Sequence, residues 1–415
     1  MSIAPQTLAA ASWLHQPRLR AIFTAIGREG DEIRVVGGAV RNALLGAAIA
    51  DIDLATTATP DVVSARAEAA GFRVVPTGID HGTVTLVVDG RGYEVTTLRE
   101  DIETDGRRAV VRFGRDWTAD AERRDFTVNA LSVDGDGTVH DPLGGYGDIL
   151  ARRIRFIGDA DRRIAEDRLR ILRFFRFHAE YAEGAPDAAG LAASIRARNG
   201  LRDLSAERVG QEMRRIALAR RAAETVVDMQ DSGILPVVLG GIGYVAGIRR
   251  LQAFEAARHL TPNVALRLAA IACRIEEDAV RLFERLRLSN AESGRMVKAI
   301  AGAGFFAGDI GERVARRALY TIGVETYRDA AALAFAWSDG SADDPAWAGL
   351  ATLPDRWTAP VFPLGGRDVL GDTAARGAAV GTLLRAIEAW WIENDFVPDE
   401  TTLRARLQQA AAAAQ

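Results

Sequence analysis

The chain has 415 residues, 48% of them hydrophobic and 26% charged, with a formal net charge of −4. That length predicts roughly two to four units with ample buried core, and the composition excludes a disordered or fibrous chain. A single cysteine, Cys273, excludes an intramolecular disulfide and a cysteine-based zinc site and suits a reducing cytoplasm. The opening segment lacks the basic start of a secretory signal, and no run approaches the roughly 20 apolar residues of a membrane span.

The acidic total argues against a nucleic-acid partner, but the distribution matters more. Lys298 is the single lysine among 52 basic residues. From Arg152 to Arg176, nine arginines meet four acids, a local balance of +5. Codon bias explains an arginine-rich total more readily than this cluster, and guanidinium forks suit phosphates and base edges.

In chain order, Ile33–Val36 reads as a short strand ending in Gly37-Gly38, followed by a helix over AVRNALL that stops at Gly46. A strand beginning near Asp51 continues through Ile52–Leu54. A helix near Asp61–Ala70 and a strand at Phe72–Val75 come next. Gly82–Val88 and Tyr93–Leu98 read as a hairpin turning at Asp89-Gly90-Arg91-Gly92. From Glu100 to Arg123 the segment is charged and non-periodic, which predicts a mobile loop. After Asp141-Pro142-Leu143-Gly144-Gly145 the strand pattern stops. From about Asp161 onward the spacing is helical, broken at Gly184–Gly190, Gly240–Gly243, Gly302–Gly304 and Ser338–Pro345, with a frayed end at Ala410–Ala414. The fold class expected is an α/β head with a mixed β-sheet and flanking helices, followed by an all-α remainder.

Four segments carry chemistry. In Asp51-Ile52-Asp53, strand alternation puts both carboxylates on one face. Two such groups repel unless a cation lies between them, and Mg²⁺ takes one or two carboxylates plus substrate phosphate oxygens. Alone, the pair is a weak signal and reads better as a solvated strand edge. Upstream, Gly37-Gly38-Ala39-Val40-Arg41 forms a strand-to-helix turn whose backbone N–H groups can approach a phosphate, with Arg41 in reach of the same anion.

Arg123-Arg124-Asp125-Phe126-Thr127-Val128-Asn129 supplies donors and acceptors for a ribose hydroxyl and a phosphate, or a salt-bridged helix start. Finally, Asp167, Arg170, Arg173 and Arg176 recur every third residue and predict a stripe on one helix face. A solvated ion-pair ladder has the same spacing. A carboxylate acceptor beside a guanidinium donor, however, fits cytosine at N4–H₂ and N3 and adenine at N6–H₂ and N1. Guanine and uracil present the opposite order and would leave charges mispaired.

Together GGAVRNALLG, ADIDLATTATP, YEVTTLR, RRDFTVNAL, DPLGGYGDI and EDRLRILRFFRF resemble, in order and spacing, the class II nucleotidyltransferases of the tRNA CCA-adding enzyme and bacterial poly(A) polymerase family. LSAERVGQEMRRI (Leu204–Ile216) resembles its neck helix. Thr104-Asp105-Gly106-Arg107 through Asp116-Trp117 resembles its flexible loop, and Phe362–Asp399 more loosely its tail. The resemblance implies a catalytic head over 1–145, a base-selecting neck over 146–216, a body over 217–345 and a tRNA-binding tail over 346–415.

It also implies that Asp51 and Asp53 bind Mg²⁺, with Glu94 a candidate third carboxylate. Gly37, Gly38 and Arg41 would meet the triphosphate, and Arg124, Asp125 and Asn129 the sugar. Asp167 and Arg170 would read the base, supported by Arg173 and Arg176. The implied reaction is template-independent addition of C, C and A to the 3′ end of tRNA from CTP and ATP. Poly(A) synthesis and A-only addition share every motif, and a non-catalytic RNA-binding protein is the rival from another class. One departure stands out: Asn42 occupies a position where the family usually carries Asp. His140-Asp141 lacks recognisable partners for a phosphohydrolase, and His15, His81, His178 and His259 are too scattered for zinc.

Overall fold

A computed structural model of the chain describes residues 7–78, 82–104, 109–372 and 377–413. His81, Asp105 to Arg107 in the expected flexible loop, and Ala414 lie outside the described residues. The chain divides into two compact units, Met1–Val238 and Leu239–Gln415.

The first unit opens with α1 (Pro17–Ile26), β1 (Ile33–Val36), α2 (Gly38–Leu44), β2 (Asp53–Thr56), α3 (Pro60–Ala69) and β3 (Arg73–Gly78). The hairpin β4 (Thr83–Val88) and β5 (Arg91–Thr97) follows, then β6 (Arg99–Thr104), β7 (Ala109–Phe113), α4 (Trp117–Glu122), β8 (Ser132–Val133) and β9 (Val139–His140). Seven strands form one sheet in the order β3-β4-β5-β2-β1-β8-β9. It is mixed, since β2 and β5 run parallel and the other neighbours antiparallel.

The β4–β5 turn is tighter than the four residues expected: Val88 pairs with Arg91, leaving Asp89 and Gly90 at φ 48° and 79°. Both central residues at positive φ form a type I′ turn, whose twist matches that of the strands. The expected loop from Glu100 to Arg123 is instead a second hairpin, β6 paired with β7, followed by α4. Its charged composition hid the strands because backbone pairing between neighbours does not require an apolar alternation.

Alternation along the strands decides what the sheet presents. Val35, Leu54 and Val95 are buried on one face, where α1 and α3 pack. Val36 pairs with Asp53 and Arg34 with Ala55, while Leu54 lies beside Val95. Asp53 and Glu94 therefore share the opposite face.

Helices complete the unit: α5 (Gly145–Leu150), α6 (Ala160–Glu166), α7 (Arg170–Tyr181), α8 (Ala188–Ala197), α9 (Ala206–Leu218), α10 (Ala222–Asp231) and α11 (Ile234–Leu239), which reaches the division. Along α7, Ile171, Leu172, Phe174 and Phe175 are fully buried, an apolar stripe that anchors the helix and turns its arginines the other way. Buried Asp148 on α5 accepts from Thr127 Oγ1 at 2.6 Å, Arg153 Nη2 at 2.6 Å and Arg155 Nε at 3.0 Å. It thereby pins the segment that carries Asp125 and Asn129.

The second unit is helical throughout its described residues: α12 (Val245–Ala257), α13 (Val264–Ala272), α14 (Glu276–Leu286), α15 (Asn290–Ala303), α16 (Glu312–Trp337), α17 (Pro345–Arg356), α18 (Gly366–Asp372), α19 (Ala378–Glu393) and α20 (Glu400–Ala413). Gly323, at φ 74°, interrupts α16. Ser289 and Glu292 form a capping box at the start of α15. Gly190 and Gly302, expected in breaks, lie inside helices. Of the alanine-rich end, Ala410 to Ala413 form the last turn of α20 rather than a frayed tail, and Ala411 joins a core with Leu364, Ile387, Trp391 and Leu407. Cys273 is buried, its thiol pushed up to about 12 by desolvation, and is chemically inert. Among the described residues no helix is long and apolar enough to cross a membrane.

Asp148→Ala should destabilise the first unit by roughly 2–3 kcal/mol, the worth of hydrogen bonds to a charged acceptor beside a buried hydroxyl. Urea unfolding of the two proteins measures it; equal midpoints would show that Asp148 contributes nothing.

Candidate active site

A cleft of about 830 Å³ opens on the sheet face that carries Asp53. Gly37, Gly38, Arg41, Asp51, Asp53, Arg124, Asp125, Asn129, Asp167, Arg170, Arg173 and Arg176 all line it. Sequence segments more than a hundred residues apart thus share one wall. Arginines outnumber carboxylates along the lining, eight to six.

Asp51 precedes β2 rather than lying on it, yet the alternation holds: Asp51 and Asp53 are exposed while Ile52 is buried. Glu94, adjacent across the parallel β2–β5 pair, lines the same cleft. The cleft walls withdraw the Asp53 carboxyl in part from water although its surface stays open, and that desolvation first, then the charges of Glu94 and Asp51, raise it above its usual range, partly offset by Arg124. Stacked negative charge of this kind asks for a cation. Among the described residues no three His, Cys, Asp or Glu side chains converge closely enough to hold a metal unaided. A donor set of two or three carboxylates that needs phosphate oxygens to finish it fits Mg²⁺ better than a transition metal.

Gly37 stands at φ 65°, ψ −117° ahead of α2, a conformation open to glycine alone. A Cβ there would also sit 3.2 Å from Arg124 Nη1. Arg41, 5% exposed, donates from Nη1 to Asn129 Oδ1 at 2.5 Å and from Nη2 to Tyr181 OH at 2.8 Å. Its guanidinium lies 4.0 Å from the Tyr181 ring centre. Asn42, in place of the expected Asp, accepts from Arg41 Nε at 3.1 Å and Nη2 at 2.9 Å.

Asp125 is more committed than a sugar ligand needs to be. Its Oδ1 accepts from Phe126 N and Asn129 Nδ2, and its Oδ2 takes Arg173 Nε and Nη2 at 2.7 and 2.5 Å. Burial would raise this carboxyl, but Arg173 and the Asn129 amide outweigh it and hold it below the usual range. Its work is to join the head to α7. Arg124 donates to Asp120 Oδ2 at 3.0 Å and Asn129 O at 3.4 Å.

The expected single-helix stripe needs correction. Asp167 lies outside α7, in extended backbone at φ −151°, ψ 110°, closing α6. Its Oδ1 accepts from Leu169 N, and Oδ2 from Arg208 Nη2 at 2.6 Å. Arg170 donates from Nη1 to Glu166 Oε2 at 2.6 Å and to Arg163 O at 2.9 Å. The Asp167 and Arg170 side chains therefore face the cleft without bonding each other, each fixed by a third residue, while the Arg170 backbone N–H donates to the Asp167 carbonyl at 3.0 Å. Arg176 is buried between Glu212 at 2.6 Å and Glu180 at 3.2 Å. Sequence reasoning missed Glu166, Glu180, Tyr181, Arg208 and Glu212. Arg208 and Glu212, four apart on α9, shared one helix face, which was the available signal. His140 pairs with Asp134, and Asp141 accepts from Gly145 N and Tyr146 N at the start of α5, so the HD dipeptide is structural.

Residues 33–155 match the Poly A polymerase head domain family. The chain is 30% identical over 405 residues to the mouse (Mus musculus) protein "CCA tRNA nucleotidyltransferase 1, mitochondrial", covering 92% of this chain and 90% of that protein. It is 38% identical over 237 residues to the CCA-adding enzyme of Geobacillus thermodenitrificans, covering 56% and 57%. Among solved structures, the Bacillus stearothermophilus CCA-adding enzyme in complex with CTP superposes with a TM-score of 0.71 at 26% identity, covering 96% and 99%. The Thermotoga maritima CCA-adding enzyme complexed with tRNA shares the fold, with a TM-score of 0.74 at 18% identity, covering 99% of this chain and 100% of that one.

The raised Asp53 carboxyl gives a signed pH dependence. An acid held above its unfolded value of 3.8 costs the fold nothing below that value. The cost grows as pH climbs through the interval and is complete above the folded value. At pH 7 without divalent ions, Asp53→Asn should melt higher than wild type by roughly 2–4 °C per kcal/mol of repulsion relieved, and the gap should close in acid. A variant melting below wild type at pH 7 would contradict the crowded carboxylates.

Proposed function

The chain belongs to the family of CCA-adding tRNA nucleotidyltransferases, and on that premise we propose that it adds C, C and A in turn to the 3′ end of tRNA, consuming CTP and ATP and releasing pyrophosphate. One observation carries this reading: the carboxylate pair, the glycine turn and the arginine face of α7 line a single cleft.

The RNA 3′-OH attacks the α-phosphate in line, and no covalent enzyme intermediate is needed. Asp51 and Asp53 would hold Mg²⁺, with Glu94 beside them. When bound there, the metal supplies charge stabilisation for the attacking and leaving oxygens. Gly37, Gly38 and Arg41 receive the triphosphate. Arg124 and Asn129 border the sugar, and Asp125 acts through Arg173 and Asn129 rather than by contact.

Asp167 and Arg170 read the base. Each Asp167 oxygen keeps acceptor capacity beyond its present bond, and the Arg170 fork keeps donors beyond those given to Glu166 and Arg163. Fixed by Arg208 and Glu166, the two can present acceptor beside donor to C or A without a template strand. Catalysis is then positioning plus electrostatics.

We assign the head to 1–145, the neck to 146–216, the body to 217–345 and the tail to 346–415, the helical parts gripping tRNA by shape and phosphate contacts that weaken with salt. The buried, inert Cys273 is consistent with work in a reducing compartment such as the cytoplasm.

Incubation with Mg²⁺, CTP and ATP should extend tRNA lacking CCA by three nucleotides, and Asp51→Ala should lower the rate by at least about 10²–10³-fold, the scale of losing one transition-state stabiliser. A long A tail without C would replace the reading with poly(A) synthesis, A alone with an A-adding enzyme. Undiminished transfer by Asp51→Ala would remove the metal assignment.

Asp167→Ala should relax the choice of C and A over G and U by roughly 10–100-fold while changing triphosphate binding little. Relative incorporation of the four nucleotides measures this; unchanged selectivity would take base reading away from Asp167.

A further inference from the structure

Among the described residues four arginines are buried: Arg41 at 5% exposure, Arg66 at 7%, Arg176 at 5% and Arg267 at 5%. Three are neutralised in place. Arg66 meets Asp31 and Glu29, Arg176 meets Glu212 and Glu180, and Arg267 meets Glu255. Arg41 differs. Its side-chain hydrogen-bond partners are the neutral oxygens of Asn42, Asn129 and Tyr181. Among the described residues no carboxylate comes within ion-pairing distance of it. Glu180 and Asp125 attract it from further off while Arg176 repels it, and those two carboxylates are already paired with Arg176 and Arg173. A buried charge without a counter-ion is costly, so this site favours an anion. The Arg41 Nη2 lies 3.7 Å from where a Gly38 Cβ would be, so that anion would sit on the glycine turn.

We propose that Asn42 keeps Arg41 as an unneutralised cation reserved for the triphosphate of the incoming nucleotide, and at the same time ties that cation to the approach to Asp51. The proposal deepens, and rests on, the nucleotidyltransferase reading above.

The orientation of the Asn42 amide follows from its partners. Its Oδ1 accepts from Arg41 Nε and Nη2 at 3.1 and 2.9 Å, and its Nδ2 donates to Ala48 O at 2.8 Å. A flipped amide would set donors against donors and a carbonyl against a carbonyl. Ala48 belongs to the connection from α2 to Asp51, so one side chain spans the phosphate end and the carboxylate end of the cleft. An aspartate here, the residue the family usually carries, could accept from Arg41. It could not donate to Ala48, and it would supply the counter-charge that Arg41 otherwise takes from substrate. Asn42 is thus a positioning residue that sets triphosphate affinity.

The test compares the full chain with its Asn42→Asp and Asn42→Ala variants. Calorimetry follows binding of inorganic tripolyphosphate, which has neither base nor sugar, and steady-state assays give kcat and KM for ATP at two salt concentrations. Asn42→Asp is isosteric at a part-exposed position, and its melting temperature should not fall. It should weaken tripolyphosphate binding and raise KM roughly tenfold, leave kcat within the same order, and flatten the salt dependence. Asn42→Ala, which retains the free cation, should weaken binding distinctly less.

Tripolyphosphate binding by Asn42→Asp that matches wild type would overturn the proposal. So would equal weakening in both variants, since the lost amide rather than the added charge would then be responsible. A wild-type chain that completes tRNA while Asn42→Asp binds normally leaves the functional reading standing and removes this one. Charge-dependent tripolyphosphate binding without transfer to tRNA does the reverse.

Discussion

Asp125 and Arg173 make the contact on which the rest of the cleft depends. The carboxylate follows α4 in the head and the guanidinium stands on α7, and the two meet at 2.7 and 2.5 Å. Asp125 is 7% exposed, so the carboxylate half of the pair is shielded from the solvent that makes surface ion pairs weak. Removing one partner would strand the other's charge. The same carboxylate fixes the Asn129 amide, which in turn receives Arg41. One chain of bonds therefore runs from the arginine face of α7 to the glycine turn, and the sheet and the helix cannot shift independently.

Around that link, charge is sorted by sign. Carboxylates crowd at the sheet end, where the charges of Glu94 and Asp51 raise the cost of ionising Asp53. Arginines crowd at the helix end, where Phe177 lies within 4.1 to 5.4 Å of three guanidiniums. At the helix end Arg173 and Arg176 are already paired with Asp125, Glu180 and Glu212, whereas Arg41 has no carboxylate within ion-pairing distance among the described residues. On the proposed function, a metal would complete the carboxylate end and the triphosphate of an incoming nucleotide would complete Arg41. On that reading substrate binding would stabilise the fold, as linkage requires of any ligand that binds only the folded state.

On the proposed function, base choice would rest on rigidity rather than on extra contacts. Asp167 and Arg170 are held by Arg208 and Glu166, so their edges are presented before the base arrives. A preorganised acceptor and donor discriminate by the cost of mispairing, which is larger than the gain from pairing. The buried Arg176, held by Glu212 from α9, stiffens α7 behind them.

Much of this was legible in local sequence. The alternation through Asp51-Ile52-Asp53, the Gly37-Gly38 turn into α2, the β4–β5 hairpin and the mixed-sheet head with a helical remainder follow from periods of 2 and 3.6, which few residues suffice to display. The motifs also carried the identity of the lining residues. Sequence could not decide which charges meet. Asp125 and Arg173 are 48 residues apart, Asp167 and Arg208 41, Arg176 and Glu212 36, and Arg41 and Asn129 88. Spacing of three between Asp167 and Arg170 suggested one helix, but the backbone leaves helical angles at Asp167, and a capping bond to Leu169 holds it there. Local periodicity reports the face on which a side chain emerges. Its partner depends on how distant elements pack, and that is a property of the assembled core alone.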